Sequence, residues 1–344
     1  MALCSRRVDT ISLQSALIQS VQSSAAARLQ QLVHLGLDCL PAPGSGATLQ
    51  RWQALATVAQ SDLSLVKLFE GHVDALATLK ELDIPVSHRG EIWGIWAAEV
   101  PGQRVIIKSL LNSQVLLEGS KAWCSGAATV SHGLLTAWHP NGDGPQLVQV
   151  AMQQPSVAIS DRHWHAVGMQ ASASLDISFC GATGTLVGKV GDYLARPGFW
   201  QGSAGIAACW FGGSQSIASA LLKSVCQGGS SAAHPFRLAA LGKVDLALQA
   251  TAALLRQAAH WIDAHPVNDA STVALRVRQS AEQSARFVLD QVSQALGATP
   301  LCRDPHFAQA AADLPVFIRQ SHAERDFAAL GERLCKEEGD VWTL

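Results

Sequence analysis

Leu117–Ala127, LEGSKAWCSGA, sets a Gly-Ser-Lys step directly before Trp-Cys-Ser, with small residues on either side. Gly119 and Ser120 suit a hairpin turn, because glycine reaches the backbone angles such a turn requires. The residues after it read as a strand presenting a flat indole (Trp123), a hydroxyl (Ser125) and exposed backbone at the mouth of a site. The same eleven residues also fit a hairpin with an ordinary buried Trp. The flanking chain separates the two readings.

Upstream, Ile11, Leu13, Leu17, Ile18 and Val21, then Leu29, Leu32 and Val33, keep the spacing that places side chains on one helix face. Pro41 to Gly46 reads as a turn, after which Thr48 is a candidate N-cap for a helix through Leu55 and Val58. From about Glu91 to Gly198 the period falls to two. Val105–Ile107, Leu134–Trp138, Leu147–Met152 and Ile177–Phe179 read as strands, with Pro140 to Pro145 as a turn. After Phe199 the helical period returns: a small-residue-rich helix through Trp210 and Leu222, then Pro235 to Asp263, Ser271 to Gly297, and a last helix from about Asp313. Along the second of these, Leu241, Val244, Leu248, Thr251, Leu255, Ala258 and Ile262 step by three and four, the seam of a bundle. The expected fold class is α+β and multidomain: an N-terminal helical domain over 1–90, a central β domain over 91–198 and a C-terminal four-helix bundle over 199–344.

At 344 residues the chain exceeds what one hydrophobic core usually supports. Charged residues make up 15%, against roughly 25% in typical soluble proteins; Ala, Ser, Gln and Leu abound, which suits closely packed helices and a buried oligomer interface. The formal net charge of −2 gives no basic footprint for nucleic acid. Eight cysteines stand far apart with no Cys-x-x-Cys pair, so neither a disulfide framework nor a zinc site is indicated, and a reducing cytoplasm is the expected location. The N-terminal stretch is Ser/Gln-rich rather than a signal-peptide core, and no uninterrupted apolar run approaches the roughly 20 residues of a membrane span. The signatures of Rossmann, P-loop, α/β-hydrolase and zincin enzymes are absent from the sequence. His163 and His165 flank Trp164 with Asp161 nearby and would share one strand face, but no third or fourth metal ligand accompanies them.

LEGSKAWCSGA resembles the flavin-contacting strand of the acyl-CoA dehydrogenase family, usually close to NGSKxWIT(N/S)A, with Cys124 and Ser125 in place of its Ile and Thr. The resemblance implies that Trp123 lies beside an isoalloxazine ring and that Ser125 hydrogen-bonds the ring nitrogen that accepts hydride, with Cys124 between them in the contact strand. Trp164–Phe179, WHAVGMQASASLDISF, resembles the family's xLGMRxSxSxDVxF segment, which packs close to flavin and substrate. Gly168, Met169, Ser172, Ser174 and Asp176 match it, and the usual Arg is Gln170. Trp93–Arg104, WGIWAAEVPGQR, stands where the family has ALTEPxAGSD, whose hydroxyls and amides hold flavin and diphosphate oxygens. Glu99 and Pro101 are kept, the preceding Ser or Thr is Ala98, and the Gly-Ser-Asp is replaced. Leu40–Leu76 resembles the family's N-terminal helical domain. In the C-terminal part the RxQFG and FQ stretches are represented by SVCQGGSSAAHPFRLAALGKV, with Phe236 kept and Arg237 in place of Gln, and QxxGGxG is reduced to Gln294, Gly297 and Ala298.

The resemblance implies FAD as cofactor, with reduced FMN or FAD as the alternative, held by Trp123, Cys124, Ser125, Glu99, Ser172 and Ser174. It implies a small-molecule substrate such as an acyl-CoA, and a homodimer or homotetramer built through the bundle. The family's base is a Glu, either in a YEGT stretch or in the first long helix of the C-terminal domain. Counting on from Asp313, which matches the family's RDA Asp, the first place falls on Phe317–Arg325, FIRQSHAER, where Ser321 and His322 stand; the helix from Phe199 to Leu222 contains no acidic residue. His322 is thus the expected catalytic residue, with Glu324 as the alternative, facing another side of a regular helix. His72 reads either as a neighbour of the active site or as a satisfied core histidine. Three functions follow: a flavin-dependent oxidoreductase acting on the CH–CH group of an acyl-CoA or acyl-thioester, a reduced-flavin-dependent monooxygenase on the same fold, or a flavin-free, non-catalytic homologue.

Overall fold

The computed structural model describes residues 8–86, 90–142, 144–227, 234–337 and 341–342. In chain order the elements are α1 (Thr10–Gln19), α2 (Ala25–His34), α3 (Thr48–Ser61) and α4 (Leu63–Glu81), then β1 (Trp93–Trp96), β2 (Val105–Leu111), β3 (Gln114–Cys124), β4 (His132–Trp138), β5 (Pro145–Ala151), β6 (Val157–Ser160) and β7 (Leu175–Val187). Helices α5 (Asp192–Ala195), α6 (Pro197–Gln227), α7 (His234–Ala264), α8 (Ser271–Leu296), α9 (Ala298–Arg303), α10 (Pro305–Phe317) and α11 (Glu324–Leu334) complete the chain. Contacts divide it into two units, residues 1–42 with 64–199 and residues 43–63 with 200–344.

The first unit is built on seven strands. Their pairing order, β1-β4-β2-β3-β7-β5, returns to its second member through a β4–β5 pairing, so five strands close into a small barrel, with β1 added on β4 and β6 on β7. β1 and β2 run parallel to β4; the other pairs are antiparallel. Strand alternation sends every second residue inward: Trp93, Leu134, Leu147 and Val187 form a core with Ala75 and Leu79 of α4. His72, also on α4, is fully buried and has both ring nitrogens bonded, Nε2 to Asp38 at 3.2 Å and Nδ1 to the Trp93 N–H at 3.1 Å. Of its two sequence readings, the satisfied core histidine is the one realised.

The expected turn at Gly119–Ser120 is corrected. β3 runs unbroken through both residues, and the β2–β3 hairpin turns instead at Asn112 and Ser113, with Asn112 at φ +59°. Gly119 has another role: at φ +116° its missing side chain lets the Arg104 carbonyl approach to where a Cβ would stand 2.2 Å from the oxygen. No other residue type fits there.

In the second unit α7 and α8 pack along one another, and α3 packs on α7. Val244, Thr251, Leu255, Ala258 and Ile262 are buried as the seam predicts, whereas Leu241 and Leu248 of the same seam are only partly buried. Thr48 does not cap α3 with its own side chain; it is the first helical residue, and Asp263 of α7 supplies the cap, its carboxylate accepting from the N–H groups of Gly46 (2.9 Å) and Thr48 (3.0 Å). α7 is long and apolar enough, by length and composition, to cross a membrane, although only 22% of its most apolar window is buried. The last helix does not start near Asp313, which lies inside α10. Residues 318–320 form a 3₁₀ turn, and α11 begins at Glu324. The break falls at Ala323, held at φ +48°. Within the RxQFG counterpart, residues 228–233 lie outside the described residues.

Candidate functional site

After a first register shift between Leu117↔Ala182 and Glu118↔Cys180, β3 and β7 stay in register down to Lys121↔Ile177, and the next pair is Cys124↔Leu175. Ala122 and Trp123 therefore both stand opposite Asp176, a β-bulge. Trp123 takes φ +57° and leaves its indole 60% exposed. A left-handed backbone costs a residue with a side chain about 1–2 kcal/mol, so the fold spends free energy to hold a large flat ring out in solvent. Such strain collects where a ligand is held.

Beyond the bulge, Ser125 meets the segment that leads into β7. Its hydroxyl lies 2.7 Å from that of Ser174, which lies 3.0 Å from that of Ser172, and Ser172 donates to the Met169 carbonyl at 2.7 Å. The backbones are tied as well, with the Gly126 N–H on the Ser172 carbonyl at 2.9 Å. The Trp96 indole N–H holds the Ser125 carbonyl at 3.1 Å. That indole lies across β1 and β4 only because both offer glycine: a Cβ at Gly133 would stand 2.2 Å from the ring. Met169 (φ +60°) and Ala173 (φ +41°) are left-handed too, which places three of the six described non-glycine residues with positive φ around Ser125. Ser172 is fully buried, Ser174 nearly so, and Ser125 partly exposed. The chain of hydroxyls thus runs from the interior to the surface beside Trp123.

Glu99 and Cys124 are placed differently from these. Glu99 Oε1 accepts from Lys121 Nζ at 2.7 Å and from the Thr136 hydroxyl, while Oε2 accepts from the Trp138 indole N–H at 3.1 Å. Lys121 is fully buried, and its ammonium also donates to Thr136 Oγ1 (2.6 Å) and O (3.2 Å). The carboxylate therefore fastens the 97–104 loop to β3 and β4. Burial works against the ionised Glu99, but the bonds from Lys121, Thr136 and Trp138 outweigh it and hold its carboxyl below the ordinary value; burial holds the Lys121 ammonium below its own. The Arg104 guanidinium lies 3.9 Å over the Trp138 ring. The Cys124 thiol is fully buried, donating to the Lys121 carbonyl at 3.4 Å, and burial pushes it far up. The residue as a whole has no exposed surface. His163 lies in a turn after β6 and His165 in the irregular stretch that follows it, neither on a strand, and His163 pairs with Asp176 at 2.7 Å. Among the described residues no cluster could hold a metal ion.

No family model matches the sequence, and no curated protein matches it. Solved structures do. KijD3 in complex with FMN and dTDP-3-amino-2,3,6-trideoxy-4-keto-3-methyl-D-glucose superposes with a TM-score of 0.80 at 16% identity, covering 96% of this chain and 94% of that one. The dibenzothiophene monooxygenase TdsC of Paenibacillus sp. A11-2 gives 0.80 at 17% identity over 97% and 98% of the two chains. Butyryl-CoA dehydrogenase of Megasphaera elsdenii gives 0.76 at 14% identity over 95% and 98%. The chain has the acyl-CoA dehydrogenase fold.

On that fold the expected catalytic residues belong to the second unit. His322 does not sit on a helix. It lies in the break before α11, 59% exposed, with its backbone N–H on Asp326 Oδ2 at 3.1 Å and its Nδ1 3.3 Å from Oδ1. The regular helix on which Glu324 was to face another side is interrupted there, and Glu324 is an exposed residue in the first turn of α11. Asp326 also receives the Ser321 hydroxyl at 3.4 Å, while Gln279 donates to Ser321 at 2.9 Å. Sequence reasoning missed Lys121, Thr136 and Trp96. The Lys of the GSK step was the one available signal, since a lysine two residues before the site Trp in an apolar strand needs a buried partner.

Proposed function

We propose that the protein is a flavin-dependent oxidoreductase whose cofactor lies against Trp123 and Ser125. The observation that carries this is the left-handed bulge presenting a 60%-exposed indole beside the Ser125–Ser174–Ser172 hydroxyl chain. The residues fit the ring system of a flavin: a flat indole for its face, a hydroxyl and backbone groups for its polar edge. A bound flavin supplies two-electron chemistry. The chain's own residues then position it, with Ser172 and Ser174 fixing the Ser125 hydroxyl and Lys121 with Glu99 fixing the adjoining loop. Either FAD or FMN is consistent with these contacts, and the substrate is a small molecule.

Two chemistries remain on this reading, oxidation of the CH–CH group of an acyl-CoA or acyl-thioester and oxygenation by a reduced flavin. The first needs a carboxylate within hydrogen-bond reach of the α-proton. α6 contains none, and in 317–325 the one carboxylate, Glu324, is exposed. That favours the second. Titration of the purified protein with FMN and FAD by fluorescence, followed by anaerobic mixing with short, medium and branched acyl-CoAs, tests the reading. Flavin binding without bleaching, together with rapid reaction of the reduced complex with dioxygen, supports oxygenation. Rapid bleaching by an acyl-CoA restores the dehydrogenase, and failure to bind either flavin refutes both.

The same reading includes the division at 1–90, 91–198 and 199–344, a cytoplasmic location supported by seven cysteines that stand outside any disulfide among the described residues, and a homodimer or homotetramer. The last is supported by α7, whose exposed Leu238 and Leu246 leave an apolar face that a second copy would cover.

A further inference from the structure

Each hydroxyl in the Ser125–Ser174–Ser172 chain has one proton to give, and counting them fixes the direction of the chain. Ser172 gives its proton to the Met169 carbonyl, which cannot donate, at 2.7 Å. The 3.0 Å contact between Ser172 and Ser174 is then a hydrogen bond only if Ser174 donates. With that proton committed, the 2.7 Å contact between Ser174 and Ser125 requires Ser125 to donate inward. Ser125, the partly exposed member, is left with lone pairs and no proton toward a ligand. Reversing the order gives up the hydroxyl bond from the fully buried Ser172 to the Met169 carbonyl, which keeps the Ser172 N–H at 3.0 Å, and turning Ser125 alone sets lone pair against lone pair at Ser174, so without a ligand the inward order makes one more bond.

We propose that this chain makes Ser125 an acceptor, so that the site binds a flavin in its reduced state in preference to its oxidised state. The inference rests on the flavoenzyme reading above, with Ser125 at the ring nitrogen that carries a hydrogen only after reduction. An N–H at that nitrogen finds a lone pair on Ser125. The bare nitrogen of the oxidised ring meets a lone pair against a lone pair, and gains a bond only when the inward chain is broken. Ser172 and Ser174 act through Ser125 and are positioning residues; they select the redox state without touching the ligand. Taking up reduced flavin from solution, rather than reducing a resident flavin with substrate, is the consequence for function.

The test measures dissociation constants of FMN and of FAD in both redox states, anaerobically for the reduced forms, together with the midpoint potential of the bound flavin. The parent is expected to bind the reduced form of its flavin at least about tenfold tighter than the oxidised form, which corresponds to a bound midpoint about 30 mV above that of the free flavin. Ser174→Ala leaves the Ser125 proton without an inward acceptor, and Ser172→Ala turns the Ser174 proton toward Ser125. Both free a proton for the oxidised ring, so in both the ratio falls toward one and the potential falls with it, chiefly by tighter oxidised binding. Ser174→Thr keeps the hydroxyl and is expected to keep the ratio. Ser125→Ala loses the preference by weaker reduced binding. An unchanged ratio and potential in both Ser172→Ala and Ser174→Ala, with flavin still bound, overturns the proposal while leaving the flavoenzyme reading intact; binding of neither flavin in any redox state refutes that reading and the proposal with it.

Discussion

Replacing Lys121 by methionine removes the one charge that is wholly buried at the site's base while keeping an unbranched side chain of similar length. Three contacts are lost, to Glu99 Oε1 and to both oxygens of Thr136. Removing one partner of a buried ion pair typically costs about 3–5 kcal/mol, because the other charge is stranded. Glu99 is not stranded to that extent: its side chain is 31% exposed and it keeps the Thr136 and Trp138 donors. Solvent screening reduces the expected loss to about 1–3 kcal/mol. The assay is urea denaturation, reading a lower midpoint at unchanged slope, within a double-mutant cycle that includes Glu99→Gln and is expected to show a coupling of about 1 kcal/mol. The pH dependence carries an independent sign. The folded Glu99 carboxyl lies below its ordinary value of 4.5, so its contribution is complete above about that pH and is lost as pH falls through the folded value. Glu99→Gln should therefore flatten the acid limb of the stability curve. Lys121 adds a slope of the same sign at the alkaline end: its folded value lies below 10.5, so the unfolded chain binds more protons in that alkaline interval and stability rises with pH there. A Lys121→Met variant as stable as the parent, with no coupling to Glu99, would refute the claim that this pair fastens the loop.

Other outcomes follow from the same geometry. Trp123→Gly relieves the left-handed strain and should leave the melting temperature equal to or above the parent's, while flavin affinity drops; a lower melting temperature with unchanged affinity would contradict the assignment of that strain to the ligand. Ser125→Ala should weaken retention of the preferred flavin by about 1 kcal/mol, roughly fivefold in the dissociation constant, as read by fluorescence titration. Gly133→Ala forces the Trp96 ring away from a Cβ 2.2 Å distant and should cost about 1–3 kcal/mol, releasing the Ser125 carbonyl and weakening flavin binding with it. Leu246→Lys on the exposed face of α7 should lower the mass seen by light scattering; a parent that is already a monomer at micromolar concentration counts against the oligomer.

Much of this fold follows from periodicity, which is local. Alternation over Val105–Ile107, Leu134–Trp138 and Ile177–Phe179 and three-four stepping along 241–262 name strands and helices because burial of one face imposes those periods. The two stretches around Ser125 and Ser174 are also legible as site segments from their residues, 49 positions apart in the chain. Register, donors and distant partners are not local. No sequence pattern says that two residues stand opposite Asp176, so the bulge that turns Trp123 outward exists only once β3 and β7 are paired. Gly119 reads as a turn by propensity and proves to be a place where the Arg104 carbonyl, just before β2, comes close. Thr48 reads as its own helix cap until Asp263 arrives from α7, and the partners that hold Glu99, Lys121 and Thr136, come to it only when β3 and β4 pack against its loop. Even the direction of the serine chain depends on a carbonyl, that of Met169, whose position a sequence cannot give. The residues fix which local structures form; which hydrogen-bonding groups remain free for a ligand is decided by what tertiary packing has already satisfied.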